Sequence, residues 1–291
     1  MQRLPIIGLS PVPSAAEHVL RAALEATAVE ITVEHWERKA HQLSAALGDI
    51  AAPDVLGAMV EAPHKERAAT LIGSLSDDAR TSGAVNAILY DGVRLTGYNS
   101  DVDGVRAGLT AILDPVPERR PRQALVLGAG GGARAVVSVL IQMGFLRVAV
   151  FNRHLHKAEA MVAHFAKTAK HMDLRALPWH DTILEAELSK ARLVVNASGI
   201  GVEAHESPIG EALLPDGLIL LDLVLNHAST PLMDAVRSRD GTVANGQFAF
   251  LTGQAVAFRA WSGVEAPADV LRSALAAHLG QPEEGLAVVG D

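Results

Sequence analysis

Short apolar runs alternate along this chain with longer stretches in which apolar residues recur every three to four positions. "LPIIGL" (4–9), "VEITVEHW" (29–36) and "VLGAMVEA" (55–62) read as strands, and "AAEHVLRAALEAT" (15–27) and "WERKAHQLSAAL" (36–47) as helices. This is the rhythm of parallel strand–helix–strand units, so the first third is expected to be α/β. A second α/β series begins at residue 123. "QALVL" (123–127) leads through a glycine-rich turn into a helix starting near Arg134, and "RVAVFNR", "ARLVVNASGIGV" and "GLILLDLVLN" supply further strands. Beyond "GTVANGQFAF" (241–250) the spacing turns helical in "FLTGQAVAFRAWSG" and "ADVLRSALAAHLG". The proline- and arginine-rich "LDPVPERRPR" (113–122) is the best linker candidate. The pattern therefore predicts an α/β domain over 1–104, a second α/β domain over 105–245, and C-terminal helices over 246–291.

Composition narrows what such a chain does. With 291 residues, 49% of them hydrophobic and 20% charged, there is material for two packed cores. A formal net charge of −8 disfavours nucleic acid as a partner while leaving room for a local basic pocket. The absence of cysteine excludes disulfides, thiolate metal sites and a cysteine nucleophile. The N-terminal "MQRLPIIGLSPVP" does not read as a signal peptide, and no apolar run reaches membrane-spanning length. A cytoplasmic protein without a membrane partner is expected. The 12 histidines are scattered with no HExxH, so no metal is expected either.

The strand–turn–helix at 124–134 carries the first candidate chemistry. Gly128, Gly130 and Ala133 fit G-x-G-x-x-G/A: the first glycine permits a tight turn, the second admits a pyrophosphate to the backbone, and the helix N-terminus offers free N–H donors, including that of Gly131. A purely structural glycine-rich turn is the competing reading. The next strand ends in Asn152-Arg153, where a chain selecting NAD carries an acid for the ribose hydroxyls. Arg153, with Lys157 one helical turn later, suits a 2′-phosphate instead, so NADP is the expected cofactor. If these two cations merely open a solvated helix, cofactor preference stays undecided.

"GAMVEAPHKERA" (57–68) carries the second. Pro63 and the Lys-Glu-Arg after it suit a solvated helix start, which is the plain reading of Lys65 on local sequence alone. Asn86 lies in the apolar, strand-like "SGAVNAILYDG", where a buried amide needs a partner.

Taken in order, "APHK" (62–65), "GAVN" (83–86), "GYNSD" (97–101), "GAGGGARA" (128–135), "FNR" (151–153), "NASGIG" (196–201), "TPL" (230–232) and "GQFAFLTGQAVAF" (246–258) resemble the shikimate dehydrogenase family over nearly the whole chain. The resemblance implies an N-terminal substrate domain, a Rossmann NADP-binding domain, and reversible hydride transfer between NADP and a ring alcohol. It implies that Lys65 and Asp101 are the catalytic pair, with Ser100 in place of a threonine. It further implies that Ser14, Asn86 and Gln254 touch substrate, which for Gln254 requires the helices of 246–291 to return and complete the first domain, and that Asn196, Ser198 and Gly246 join the cofactor site. Proton transfer at Lys65 then displaces the helix-start reading, since oxidising a secondary alcohol needs a group to take the hydroxyl proton. A homodimer is compatible with the resemblance.

The departures from the family pattern fall at one end of the expected site. Val12 stands where the resemblance implies a serine, with Ser10 a candidate substitute. Met59 and Glu61 replace an amide and a hydroxyl, Leu225 replaces a tyrosine, and Phe250 a methionine. The end that grips a substrate carboxylate has thus lost donors and gained a carboxylate, which points to a substrate other than shikimate. An ordinary shikimate, quinate or aminoshikimate dehydrogenase is the alternative within enzymes. A non-catalytic NADP-binding regulatory module is the alternative outside them.

Overall fold

The computed structural model describes residues 2–113, 122–203 and 205–282. Most of the linker candidate at 113–122 therefore lies outside the described residues. The described residues divide into two compact units, those of 2–103 with 251–282 and those of 104–250.

The first unit runs β1 (Gln2–Gly8), α1 (Ala15–Thr27), β2 (Ile31–Glu37), α2 (Leu43–Ile50), β3 (Gly57–Val60), α3 (Lys65–Leu71), β4 (Ser74–Leu75), α4 (Asp77–Ser82), β5 (Ala87–Tyr90) and β6 (Leu95–Tyr98). Its six strands are ordered β2-β1-β3-β5-β6-β4. The β1–β2, β1–β3 and β4–β6 pairs are parallel, whereas β3–β5 and β5–β6 are antiparallel. β1 lies between β2 and β3, and Leu4, Ile6 and Ile7 are wholly buried in it. Ile7, Leu43, Ile50, Val60 and Ile88 share one core cluster, which joins the sheet to α2. Ser14 caps α1 by accepting the Glu17 backbone N–H, and Ser76 caps α4 by accepting that of Ala79.

The second unit is a fully parallel sheet. It contains most of α5 (Asp101–Leu113), then β7 (Gln123–Leu127), α6 (Gly131–Gln142), β8 (Arg147–Asn152), α7 (Leu155–Phe165), β9 (Asp173–Pro178), α8 (Asp181–Leu188), β10 (Leu193–Asn196), β11 (Ile219–Asp222), α9 (Pro231–Arg237) and β12 (Thr242–Asn245). The strand order β12-β11-β10-β7-β8-β9 is that of a doubly wound Rossmann sheet. The order reverses between β7 and β10, which pair in parallel with Leu127 opposite Asn196. Near-continuous burial of Ala124–Leu127, Val148–Phe151 and Leu193–Asn196 follows from helices covering both faces.

Two helices close the chain, α10 (Gly246–Ser262) and α11 (Ala268–Leu279). Both unit divisions fall inside helices, at 103/104 in α5 and 250/251 in α10. Within the first unit α11 packs on α1, and the Trp261 indole N–H donates to the Ile88 carbonyl of β5 at 2.9 Å. Residues 251 onward of α10, together with α11, thus belong to the first unit. Among the described residues no helix is long and apolar enough to cross a membrane.

Candidate functional site

Lys65 is the first residue of α3 and Asp101 the first of α5. The Lys65 Nζ donates to Asp101 Oδ2 at 2.6 Å, with each side chain about four-fifths buried. The approach to Lys65 is fixed by His64, itself buried, whose Nε2 lies 2.7 Å from the Arg38 carbonyl. Asp101 is held from its other oxygen. Asn86 Nδ2 donates to Asp101 Oδ1 at 2.9 Å and to Ser100 Oγ at 2.9 Å, while Asn86 Oδ1 accepts the Ser100 N–H at 2.9 Å. Both amide protons of Asn86 are therefore spent inside the protein. Asn86, for which the resemblance implies contact with substrate hydroxyls, also braces Asp101.

Gln254 lies on α10. Its neighbour Gly253 allows that helix to meet the backbone of residues 100–101, because a Cβ at 253 would sit 3.0 Å from the Ser100 carbonyl oxygen. Gln254 is 9% exposed and its carboxamide makes no hydrogen bond among the described residues. It is thus a polar group with capacity left for a ligand.

The segment expected to grip a carboxylate is arranged otherwise. The Ser14 hydroxyl donates to Glu61 Oε1 and accepts the Glu17 N–H at 3.2 Å. Its one proton is committed, so Ser14 is not a free donor. Ser10 Oγ donates to the Val12 carbonyl at 3.1 Å and accepts its N–H at 3.2 Å, so this hydroxyl closes its own turn. Val12 is exposed, and Met59 is buried in β3. His35 tethers the same loop: Nε2 lies 2.9 Å from the Ser10 carbonyl and Nδ1 2.8 Å from Glu17 Oε2. Burial opposes charge on this ring, but the bonds to Ser10 and Glu17, with the charges of Glu17 and Glu61, outweigh it and raise its pKa. Both partners are acceptors, so the imidazolium satisfies both.

In the second unit, the turn after β7 sits at the strand-order reversal, the place where open α/β sheets receive ligands. Gly128 has φ +110°, and a Cβ there would fall 2.4 Å from the Ala197 carbonyl oxygen. Only glycine fits this approach. Gly130 is the N-cap of α6 and supplies no side-chain cap, leaving the N–H groups of the first turn, from Gly131 onward, open to an anion; Ala133 is buried against the sheet. Gly246 starts α10 at a similar close approach, 2.6 Å from the Leu223 Cα for a built Cβ. At the end of β8, Asn152 donates to the His154 carbonyl at 2.9 Å. Arg153 and Lys157 are exposed and have no ion-pair partner among the described residues. An uncapped helix start, two uncommitted cations and no acid at the strand end fit a dinucleotide bearing an extra phosphate.

Asn196 and Ser198 are used internally. Asn196 Nδ2 donates to Asp222 Oδ1 at 2.8 Å and to the Ile200 carbonyl at 3.0 Å, while its Oδ1 accepts the Ser198 hydroxyl at 2.7 Å. Asp222, fully buried, also accepts from Thr230 Oγ1 at 2.7 Å. Burial pushes its pKa up, against the pull of these donors. This buried network fixes the 197–201 turn beside Gly128. Asp222 was missed as a site residue, although an acid inside "GLILLDLVLN" was the visible signal. Leu225 offers only its carbonyl, which accepts from Gln247 Nε2 at 3.0 Å. Among the described residues no group of three or more acidic, histidine or cysteine side chains could hold a metal ion.

Residues 6–88 match the family described as shikimate dehydrogenase substrate binding domain, and residues 114–200 match shikimate / quinate 5-dehydrogenase. A shikimate dehydrogenase (NADP(+)) from Symbiobacterium thermophilum is 32% identical over 283 residues, covering 96% of this chain and 95% of that protein. Another from Synechocystis sp. is 30% identical over 281 residues, covering 95% of each. The crystal structure of shikimate 5-dehydrogenase from Thermus thermophilus in complex with NADP(H) and shikimate superposes with a TM-score of 0.77 at 28% identity, covering 94% of this chain and 98% of that one. With more than 30% identity to a relative matched over nearly its full length, this chain belongs to the shikimate dehydrogenase family.

Proposed function

We propose that this chain is an NADP-dependent oxidoreductase of shikimate dehydrogenase type, which interconverts a ring alcohol and its ketone, and that shikimate is not its best substrate. The observation that carries the reading is the Lys65–Asp101 pair, braced by Asn86. NADP, when bound, supplies the acceptor or donor of the hydride. Gly128, the α6 N-terminus, Arg153 and Lys157 are the groups suited to hold it.

The chain's own work is at the substrate oxygen. In the reducing direction the Lys65 ammonium gives a proton to the oxygen as the carbonyl carbon gains hydride; in the oxidising direction Lys65 Nζ takes the hydroxyl proton as hydride leaves the same carbon. Asp101 keeps the ammonium aimed and balances its charge. Gln254 has the free carboxamide needed to hold a neighbouring ring hydroxyl. The engaged Ser14 and the carboxylate of Glu61 support a substrate other than shikimate. The relatives' names favour an ordinary shikimate dehydrogenase.

The test is reduction of NADP and of NAD by the purified chain with a panel of cyclic polyols that includes shikimate and quinate. NADP reduction with at least one ring alcohol is expected; none with any of them would refute the reading.

A further inference from the structure

At the carboxyl ends of β1 and β3 stands a carboxylate that proton transfer does not use. Glu61 follows β3 directly, and its backbone is fixed on both sides: its N–H donates to the Ile7 carbonyl at 3.0 Å, and its carbonyl accepts from the His64 N–H at 2.8 Å. Oε1 takes the Ser14 proton, and Oε2 lies so near Gly8 that a Cβ there would be 2.7 Å away. The segment continues within four residues into Lys65. One residue earlier, the Val60 N–H donates to the Asn86 carbonyl at 2.8 Å, and Asn86 braces Asp101. Glu61 and the proton-transfer pair are thus anchored on the same strand end, where parallel strands present their ligands.

The groups left over at Glu61 are acceptors. The Ser14 proton is committed, the Ser10 hydroxyl is closed on Val12, and the His35 ring is occupied by Glu17 and the Ser10 carbonyl. Lone pairs on Glu61 and on Ser14 Oγ remain. An ionised carboxylate on a ligand brings only further acceptors and a like charge, while a hydroxyl or ammonium brings the protons this end lacks.

We infer that Glu61 is the specificity-determining residue of this site, and that the substrate group received beside it is an alcohol or an amine rather than a carboxylate. The inference rests on reading Lys65 and Asp101 as the proton-transfer pair. Glu61 selects for donor-bearing rings and against acidic ones by the same carboxylate, so attraction and rejection come from a single side chain.

The experiment compares three rings that differ in one substituent: shikimate, and its analogues with hydroxymethyl or aminomethyl in place of the carboxylate. Rates of NADP reduction by the full chain are expected to give at least one analogue a kcat/KM on the order of tenfold or more above that of shikimate. Glu61→Gln, checked for folding by thermal melting, should erase that advantage. The hydroxymethyl and aminomethyl arms tell alcohol from amine. Calorimetric titration of the same rings in the presence of NADP reads the preference without turnover. Tighter binding of an analogue without cofactor reduction would support the role of Glu61, and the oxidoreductase reading would then be decided by the wider panel of cyclic polyols. Preference for shikimate over both analogues, equal affinity for all three, no measurable binding of any, or an unchanged ratio in folded Glu61→Gln would each overturn the inference. If that variant does not fold, the ratio in the unaltered chain decides.

Discussion

Asn86 grips one oxygen of Asp101 at 2.9 Å and leaves the other to Lys65, so the orientation of the carboxylate is set from outside the ion pair. Asn86→Ala should release Asp101 and strand the buried Ser100 N–H. We expect a loss of about 1–3 kcal/mol of stability by denaturant unfolding, together with a fall in kcat. Asn86→Asp, which keeps the acceptor for Ser100 but sets a second carboxylate against Asp101, should restore less activity than its size suggests. Wild-type turnover in either variant would show that the brace is structural only.

Replacing Lys65 by Met keeps the length of the side chain and removes the proton. Turnover is expected to drop by roughly 10²–10⁴-fold, with NADP affinity measured by calorimetry nearly unchanged. Unaltered turnover would reduce Lys65 to a structural partner of Asp101.

Arg153→Asp should cost about 1.5–3 kcal/mol of NADP binding and move preference towards NAD. Titrating both cofactors into both proteins measures this directly. Equal affinities in the unaltered chain would contradict a 2′-phosphate role for Arg153 and Lys157.

Gly128→Ala combines a left-handed φ of +110° with a methyl group 2.4 Å from a carbonyl oxygen. Destabilisation of at least about 1–3 kcal/mol is expected, with loss of cofactor binding at temperatures where the variant is still folded. A melting curve with and without NADP separates the two effects.

His35 sets a pH dependence. Its pKa is raised in the folded chain above the ordinary 6.5, so the stability it contributes is fully present below 6.5 and is lost as pH rises through the raised value. The stability difference between wild type and His35→Gln, followed by urea unfolding, should be largest in acid and shrink towards alkaline pH. The opposite trend would mean that the neutral ring is the stabilising form.

The Rossmann unit was legible because its signals are short-range: a glycine pattern between an apolar run and a helix, then a cation where an acid would stand. Since on local sequence alone Lys65 reads as a helix start, Lys65 and Asp101 were readable as a pair only through the ordered motifs that resemble the family. Side-chain partners were not. Ser14 and Glu61 are 47 positions apart, and nothing in either segment announces that one hydroxyl proton will be consumed by the other. Asn86 was visible as a polar residue in an apolar run, and Asn196 and Ser198 through the resemblance, but neither signal says which partner is required. Whether the partner is ligand or protein depends on where the neighbouring strand ends. Strand direction was hidden too. Apolar periodicity reports which faces are buried, so the antiparallel β3–β5 and β5–β6 pairs look like the parallel units around them.

The bond from Trp261 to the Ile88 carbonyl gives the protein a spectroscopic handle. Of the chain's three tryptophans, Trp36 and Trp179 are more exposed, whereas Trp261 is 7% exposed. The blue edge of the emission therefore belongs mainly to the indole that fastens the C-terminal helices to β5. Emission detected at that edge would follow detachment of a segment far along the chain from the sheet it completes, and would separate that event from melting of the Rossmann unit, where Trp179 follows β9. A label-free optical reading of how the C-terminal helices hold to β5 is thus built into one hydrogen bond.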